Sequence, residues 1–202
     1  MAYNYFGQYL LKCRKTTIVL SLLFFFIVIN FCSCNTATSA ADSQPFVYLT
    51  NRSKYLLLPS ENIKNPMDMI QHISASYRSK NYFFNAWVKA DKTGMDMTIL
   101  NELGTSMGDL SYRDGIVSFS SSVFPASVKP EYIVADYQLC FYDDLPLRRA
   151  LENCGLLLES TEVSRRVFQG KAVIIEIKKS SGVVQFVNHL RGYSYTLEGD
   201  FE

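Results

Sequence analysis

Two sets of positions, one wholly apolar and one mixed, alternate along "NYFFNAWVKADKTGMDMTIL", residues 81–100, on either side of a turn. Phe84, Ala86, Val88 and Ala90 fall on one face, and Phe83, Asn85, Trp87 and Lys89 on the other. A period of two predicts a strand. The pattern stops at Asp91–Gly94 and resumes with Met95, Met97 and Ile99, so a hairpin with long arms is expected. A second turn is expected at Asp114–Gly115, between "GDLSY" and "IVSFS", because Asp-Gly supplies the two positive φ angles of a type I′ turn. The text is strand-like from Asp68 onward, and at least four antiparallel strands are expected before residue 122.

The period then changes. In "FPASVKPEYIVADYQLCFYDDLPLRRALENCG", Pro130 stands as a helix-start residue, followed by Ile133, Val134, Tyr137, Leu139, Cys140 and Phe141 in a helical distribution. Asp143, Asp144 and Pro146 interrupt the stripe. Leu147, Ala150 and Leu151 form a second short one, ended by Gly155 at a C′ position. Strands return with "LLLESTEV", "RRVFQG", "KAVIIEIKK", "VVQFVNHL" and "YSYTLEGDF", separated by Ser180–Gly182 and by Arg191–Gly192. This order predicts an α+β domain: a strongly curved antiparallel sheet with two helices on its concave side. A curled, unclosed sheet exposes apolar side chains that something must cover. The segment Pro130–Leu151 is therefore expected to act as a helical lid, with Ile133, Val134, Tyr137, Phe141, Leu147 and Leu151, together with Trp87, facing a ligand. The plainer expectation is that the helices only plug a filled core.

Ahead of this domain the composition differs. Lys12, Arg14 and Lys15 precede an uncharged run from Ile18 to Ile29, then small and polar residues, which is the order of an export signal. The run is shorter than the roughly 20 apolar residues of a membrane-spanning helix. Phe31, Cys32 and Ser33 before Cys34 fit a bacterial lipobox, although Phe31 and Cys32 depart from the commoner Leu and Ala or Ser. Residues 1–33 are thus expected to be a lipoprotein signal, with Cys34 lipidated and anchoring the chain to a membrane; ordinary secretion, cleaved near Ser39–Ala41, is the alternative. In the enterobacterial sorting code Asn35, in place of Asp, favours the outer membrane over the inner. Residues 34–61 are rich in Thr, Ser, Ala and Asn and read as a tether, leaving 62–202 as the domain.

Charge excludes one class of partner. Lys and Arg number 20 against 19 Asp and Glu, and part of the positive charge lies in the signal, so nothing favours nucleic acid. With Cys34 acylated, Cys140 and Cys154 either pair in an oxidising periplasm or remain buried thiols. His72 and His189 are far apart in strand-like segments and read as half-buried structural imidazoles. No His-x-x-x-His or Cys-x-x-Cys spacing offers a metal site, and no glycine-rich loop a phosphate cradle. Asp143–Asp144 read as turn or capping residues. The chain is therefore expected to be neither an enzyme nor dependent on a cofactor. What stands out is an aromatic surplus, with 14 Phe, 13 Tyr and one Trp in 202 residues, which suits an apolar cavity.

Residues 100–151 resemble the DUF3261 family of bacterial lipoproteins. The resemblance rests on Leu103–Gly104, on Tyr112 with Asp114–Gly115, and on Pro130, Glu131, Ala135, Asp136, Gln138 and Leu139. The ending "VNHLRGYSYTLE", with His189 and Tyr193 to Leu197, is similar to the family's close, and coverage runs from about residue 68 to 198. Many members have Trp where this chain has Phe141. The family resembles the lipoprotein receptor LolB and its periplasmic carrier LolA, which implies an unclosed β-barrel covered by helices around an acyl-binding cavity. It further implies an outer-membrane lipoprotein that binds or receives an acyl lipid, with a periplasmic carrier protein as partner and aryl-polyene-type lipid as cargo. The alternative is an assembly lipoprotein with a filled core that holds protein partners at the envelope.

Overall fold

The structure, a computed structural model, describes residues 44–201. The signal, Cys34 and the first part of the tether lie outside the described residues. Five consecutive antiparallel strands open the main sheet, each hairpinned to the next: β3 (Met67–Tyr77), β4 (Lys80–Asp91), β5 (Gly94–Leu100), β6 (Ser106–Arg113) and β7 (Ile116–Ser120). Two helices follow, α1 (Glu131–Phe141) and α2 (Asp144–Asn153). Five more strands complete the domain: β8 (Leu157–Ser160), β9 (Ser164–Gln169), β10 (Ala172–Ser180), β11 (Val183–Asn188) and β12 (Tyr193–Glu198). The two meanders join where β12 pairs with β3, Tyr195 opposite Ala75, making one ten-stranded antiparallel sheet. Its edges are β7 and β8, which do not pair with each other, so the sheet is not closed. The helices form the connection between those two edges.

The hairpins follow the sequence closely. Asp91 pairs with Gly94 across a two-residue turn, and Arg113 with Ile116 across Asp114–Gly115, whose φ angles are +50° and +74°. The β3–β4 turn lacks any such signal, since Arg78 and Ser79 take positive φ without being Gly or Asn. Alternation places Ala86, Val88 and Ala90 of β4 and Met95, Met97 and Ile99 of β5 on the buried, helix-bearing face. Trp87 falls on the opposite face, 39% exposed, where its indole N–H donates to Asp68 at 2.9 Å. It is not a lining residue.

The domain begins earlier than the sequence pattern implies. Residues 44–61, expected to belong to the tether, include a small hairpin, β1 (Phe46–Tyr48) with β2 (Lys54–Leu56), and a 3-10 turn at Ser60–Asn62. Val47, Leu49, Tyr55 and Leu57 are all buried there. Strands this short give too little periodicity to register in a polar stretch, and their burial depends on a helix far along the chain. That helix is α1. Gln138, wholly buried, accepts from the Leu58 N–H and the Tyr55 hydroxyl, both at 2.9 Å, and donates to the Leu58 carbonyl at 2.8 Å.

The end of α1 is equally constrained. The last carbonyls of a helix have no partner within it, and here side chains from two strands supply them. Arg165 of β9 donates to the carbonyls of Leu139 (2.8 Å) and Tyr142 (2.6 Å) and to the carboxylate of Asp144 (2.6 Å), while Lys179 of β10 donates to that of Cys140 (2.5 Å). Two cations at the negative end of the helix dipole add to the hold. Burial, and then the neighbouring Arg165, push the Lys179 pKa down to about 8. The bend between the helices is thus bolted to the sheet, and an α1 that swings away as a lid does not fit this arrangement.

Candidate functional site

Between α1 and the sheet lies an open cavity of about 720 Å³. Such a volume falls in the usual range for small-molecule sites, roughly 300–1,000 Å³. Its sheet side comes from Ile73, Phe84, Met97, Ile99, Phe119 and Leu197, and its open end from Tyr82, Phe83, Phe124 and Val128. Tyr82 and Phe83, just past the β3–β4 turn, are 46% and 62% exposed, which marks the entrance. One wall is an aromatic ladder: Phe186 of β11 stacks on Tyr195 of β12 with centroids 4.7 Å apart and on Tyr193 at 5.8 Å. Both tyrosines line the space.

Helix α1 presents Ile133, Asp136, Tyr137, Cys140 and Phe141 to it. These positions recur at three and four residues, one face of a helix, and span about 12 Å at 1.5 Å per residue. Of the residues expected to face a ligand, Ile133, Tyr137 and Phe141 border this cavity. Val134 does not: it lies a turn before Gln138, on the face covered by residues 44–58, and is wholly buried. Leu147 and Leu151 are also wholly buried, in α2, which packs on β8 and β2 rather than over the cavity. α1 is apolar on nearly every side because it is sandwiched, and this hid its cavity-facing stripe.

The residue the sequence reading passed over is Asp136. It interrupts an otherwise apolar stripe, and that interruption is the signal that could have found it. The Tyr193 hydroxyl donates to its Oδ2 at 2.8 Å. Burial raises the Asp136 pKa, the Tyr193 hydrogen bond and the charge of Arg191 oppose the rise, and the outcome is about 7. Arg191 itself donates to the Tyr48 carbonyl and, at 3.0 Å, to the Tyr132 hydroxyl. Beside the cavity the buried Tyr137 hydroxyl has no hydrogen-bond partner among the described residues. Burial and the neighbouring Asp136 push the Cys140 thiol up to about 12. Cys140 and Cys154 are both free, so neither the bridge nor a reactive thiolate is built here.

The two motif residues Asp136 and Gln138 point in opposite directions from α1, one into the cavity and one into the layer that covers the helix. The family model for DUF3261, described as a protein of unknown function, matches residues 68–199. The chain belongs to this family. Every cavity-lining residue lies within that DUF3261 match, whereas the covering hairpin β1–β2 lies before it. No curated protein matches the chain. The two histidines contribute nothing to the site. His72 and His189 are both exposed rather than half-buried, with His72 Nδ1 2.7 Å from Asn85 Oδ1. Among the described residues no three His, Cys, Asp or Glu are placed to hold a metal ion, and no helix is long and apolar enough to cross a membrane.

Proposed function

We propose that this DUF3261 domain is the lipid-binding part of an envelope lipoprotein. Its cavity takes the acyl chain of a lipid or of a lipidated protein, and Cys34 carries the anchor that holds it at the outer membrane. One observation supports this above all: a space of about 720 Å³ lies open between α1 and the sheet, and its walls are mostly aliphatic and aromatic. Interiors of this size normally pack without large voids. A filled core holding protein partners fits the same chain less well.

In this reading the unclosed sheet curls around α1 in the manner of LolA and LolB, and lipid enters past Tyr82, Phe83 and Phe124 without displacement of the helix. An acyl chain gains about 25 cal/mol per Å² of apolar surface removed from water, with no catalysed step required. Loading from a periplasmic carrier and delivery of an aryl-polyene-type or related lipid to the outer membrane follow from differential affinity. The test is binding of the apolar dye N-phenylnaphthylamine to the purified domain, joined to mass spectrometry of lipid copurified from the native envelope. Ala75→Trp fills the cavity from its sheet wall. It should abolish dye fluorescence and copurified lipid with folding intact. Undiminished binding in that variant, or no binding by the wild type, removes the proposal.

A further inference from the structure

We propose that Asp136 and Tyr193 form a recognition point in the cavity wall for an uncharged, hydrogen-bond-donating head group. The cavity then selects a neutral single-chain lipid, such as a long-chain alcohol or amide, over an anionic amphiphile of the same length. This rests on the reading that the cavity holds an acyl chain, and it adds which end of the ligand the protein recognises.

The geometry makes the case in three steps. First, among the described residues no Lys or Arg lines the cavity, so a buried carboxylate, sulfate or phosphate would meet no cation there. An unpaired charge in an apolar site costs far more than a neutral polar group that finds one partner. Second, Asp136 sits mid-helix between Ile133 and Cys140, partly buried in the cavity wall. Third, a carboxylate offers about four acceptor positions, and among the described residues only Tyr193 donates to this one. The remaining capacity suits a donor from the ligand. The neighbouring Tyr137 hydroxyl, buried without a partner, is a second polar group beside the same space.

The groups facing Asp136 are Tyr193 and Tyr195 from β12, Arg191 from the β11–β12 turn and Cys140 from its own helix. Burial drives both tyrosines well above their ordinary range and the thiol to about 12, so among these titrating groups Asp136 is the one that changes charge near neutrality; Lys179, at about 8, donates to the Cys140 carbonyl and does not line the cavity. Ionised, it repels an anionic head group; protonated, it becomes a donor that accepts one.

The experiment is displacement of N-phenylnaphthylamine from the purified domain by dodecanol and by dodecane sulfonate, a permanent anion. At about pH 8, above the Asp136 pKa of about 7, dodecanol should displace the dye at roughly tenfold lower concentration. Asp136→Asn should narrow that preference to the part that the lack of a cavity cation supplies, and Tyr193→Phe, which removes the hydrogen bond opposing the rise in the Asp136 pKa, should narrow it in the same direction. Lowering the pH of the wild type to about 6 should narrow the preference without any substitution, which covers the case of a variant that fails to fold. Equal displacement by both probes in the wild type, or a preference unchanged in Asp136→Asn, overturns the inference while leaving the cavity reading intact. Absence of dye binding by the wild type overturns both.

Discussion

The ring of Phe141 stacks on that of Phe201 with centroids 5.6 Å apart and planes 22° from parallel. Phe141 borders the apolar cavity on one side and, on the other, a more polar hollow that it shares with Phe201, Lys64, Met67 and Lys179. The stacked pair is therefore the floor between them. Phe201→Ala should join the two spaces and let the domain accept longer chains. Because Phe201 is only partly buried, the loss of stability should be less than the about 3–5 kcal/mol of a core Phe→Ala change. A series of alcohols of increasing length, competed against a bound dye, measures the shift; an unchanged length limit contradicts the floor.

Gln138 carries a prediction about stability rather than binding. Replacing it with Leu strands the Leu58 N–H and the Tyr55 hydroxyl, while the Leu58 carbonyl keeps the Tyr112 hydroxyl at 2.9 Å. Each stranded buried group costs about 1–3 kcal/mol. Urea unfolding of Gln138→Leu should show a loss of roughly 2–5 kcal/mol, and limited proteolysis should cut first within residues 44–58. Wild-type resistance of that segment would show that something other than Gln138 holds it.

Arg165 and Asp144 separate a buried member of an ion pair from an exposed one. The Arg165 side chain is 5% exposed and that of Asp144 48%. Arg165→Met leaves two helix-end carbonyls without donors and, at about 1–3 kcal/mol for each, should cost about 2–6 kcal/mol. Asp144→Asn loses only a solvent-screened charge and should cost under about 1 kcal/mol. Denaturant unfolding of the two variants decides it. Similar losses would place the energy in the ion pair and not in the carbonyls.

Much of this architecture was readable before the structure, and the reasons differ by element. The hairpins at Asp91–Gly94 and Asp114–Gly115 announced themselves because their turns demand particular residues. The helix pair was readable from Pro130 to Gly155 because its ends carry Pro and Gly where helices start and stop. The site was half visible. Ile133, Tyr137 and Phe141 followed from helical spacing, but Val134 shares much of that arc and only a covering layer removes it from the cavity. That layer is the β1–β2 hairpin, whose partners lie some eighty residues away at Gln138. Trp87 was misassigned by residue type, although its own alternation already placed it on the far face.

The anchor prediction concerns residues outside the described ones. Cys34→Ser should leave the protein unlabelled by a palmitate analogue and move it from the membrane to the soluble fraction, since lipidation in place of a spanning helix is its only proposed attachment. Cys140→Ala with Cys154→Ala should change neither property, because both thiols are free and buried or half-buried in the fold. Membrane retention of acyl label in Cys34→Ser would assign the anchor elsewhere.

Asp136 finally links the cavity to stability. Its folded pKa of about 7 lies above the about 3.9 of an unfolded Asp, the rise coming first from burial and being opposed by Tyr193 and Arg191. Between those values the native protein keeps a proton that the unfolded chain has lost. Stability therefore falls with rising pH across that window. The contribution is fully present below about pH 4 and lost as the pH passes about 7. Other groups also titrate over this range, so the informative quantity is the difference between wild type and Asp136→Asn, in which the amide cannot ionise. The urea midpoint of the variant relative to wild type should rise between about pH 5 and about pH 8, on either side of the Asp136 pKa. A constant offset between the two proteins across that range would mean that Asp136 is ionised throughout. The carboxylate would then reach enough water through the cavity entrance to behave as a surface group, and the pH dependence of head-group selection would lose its basis.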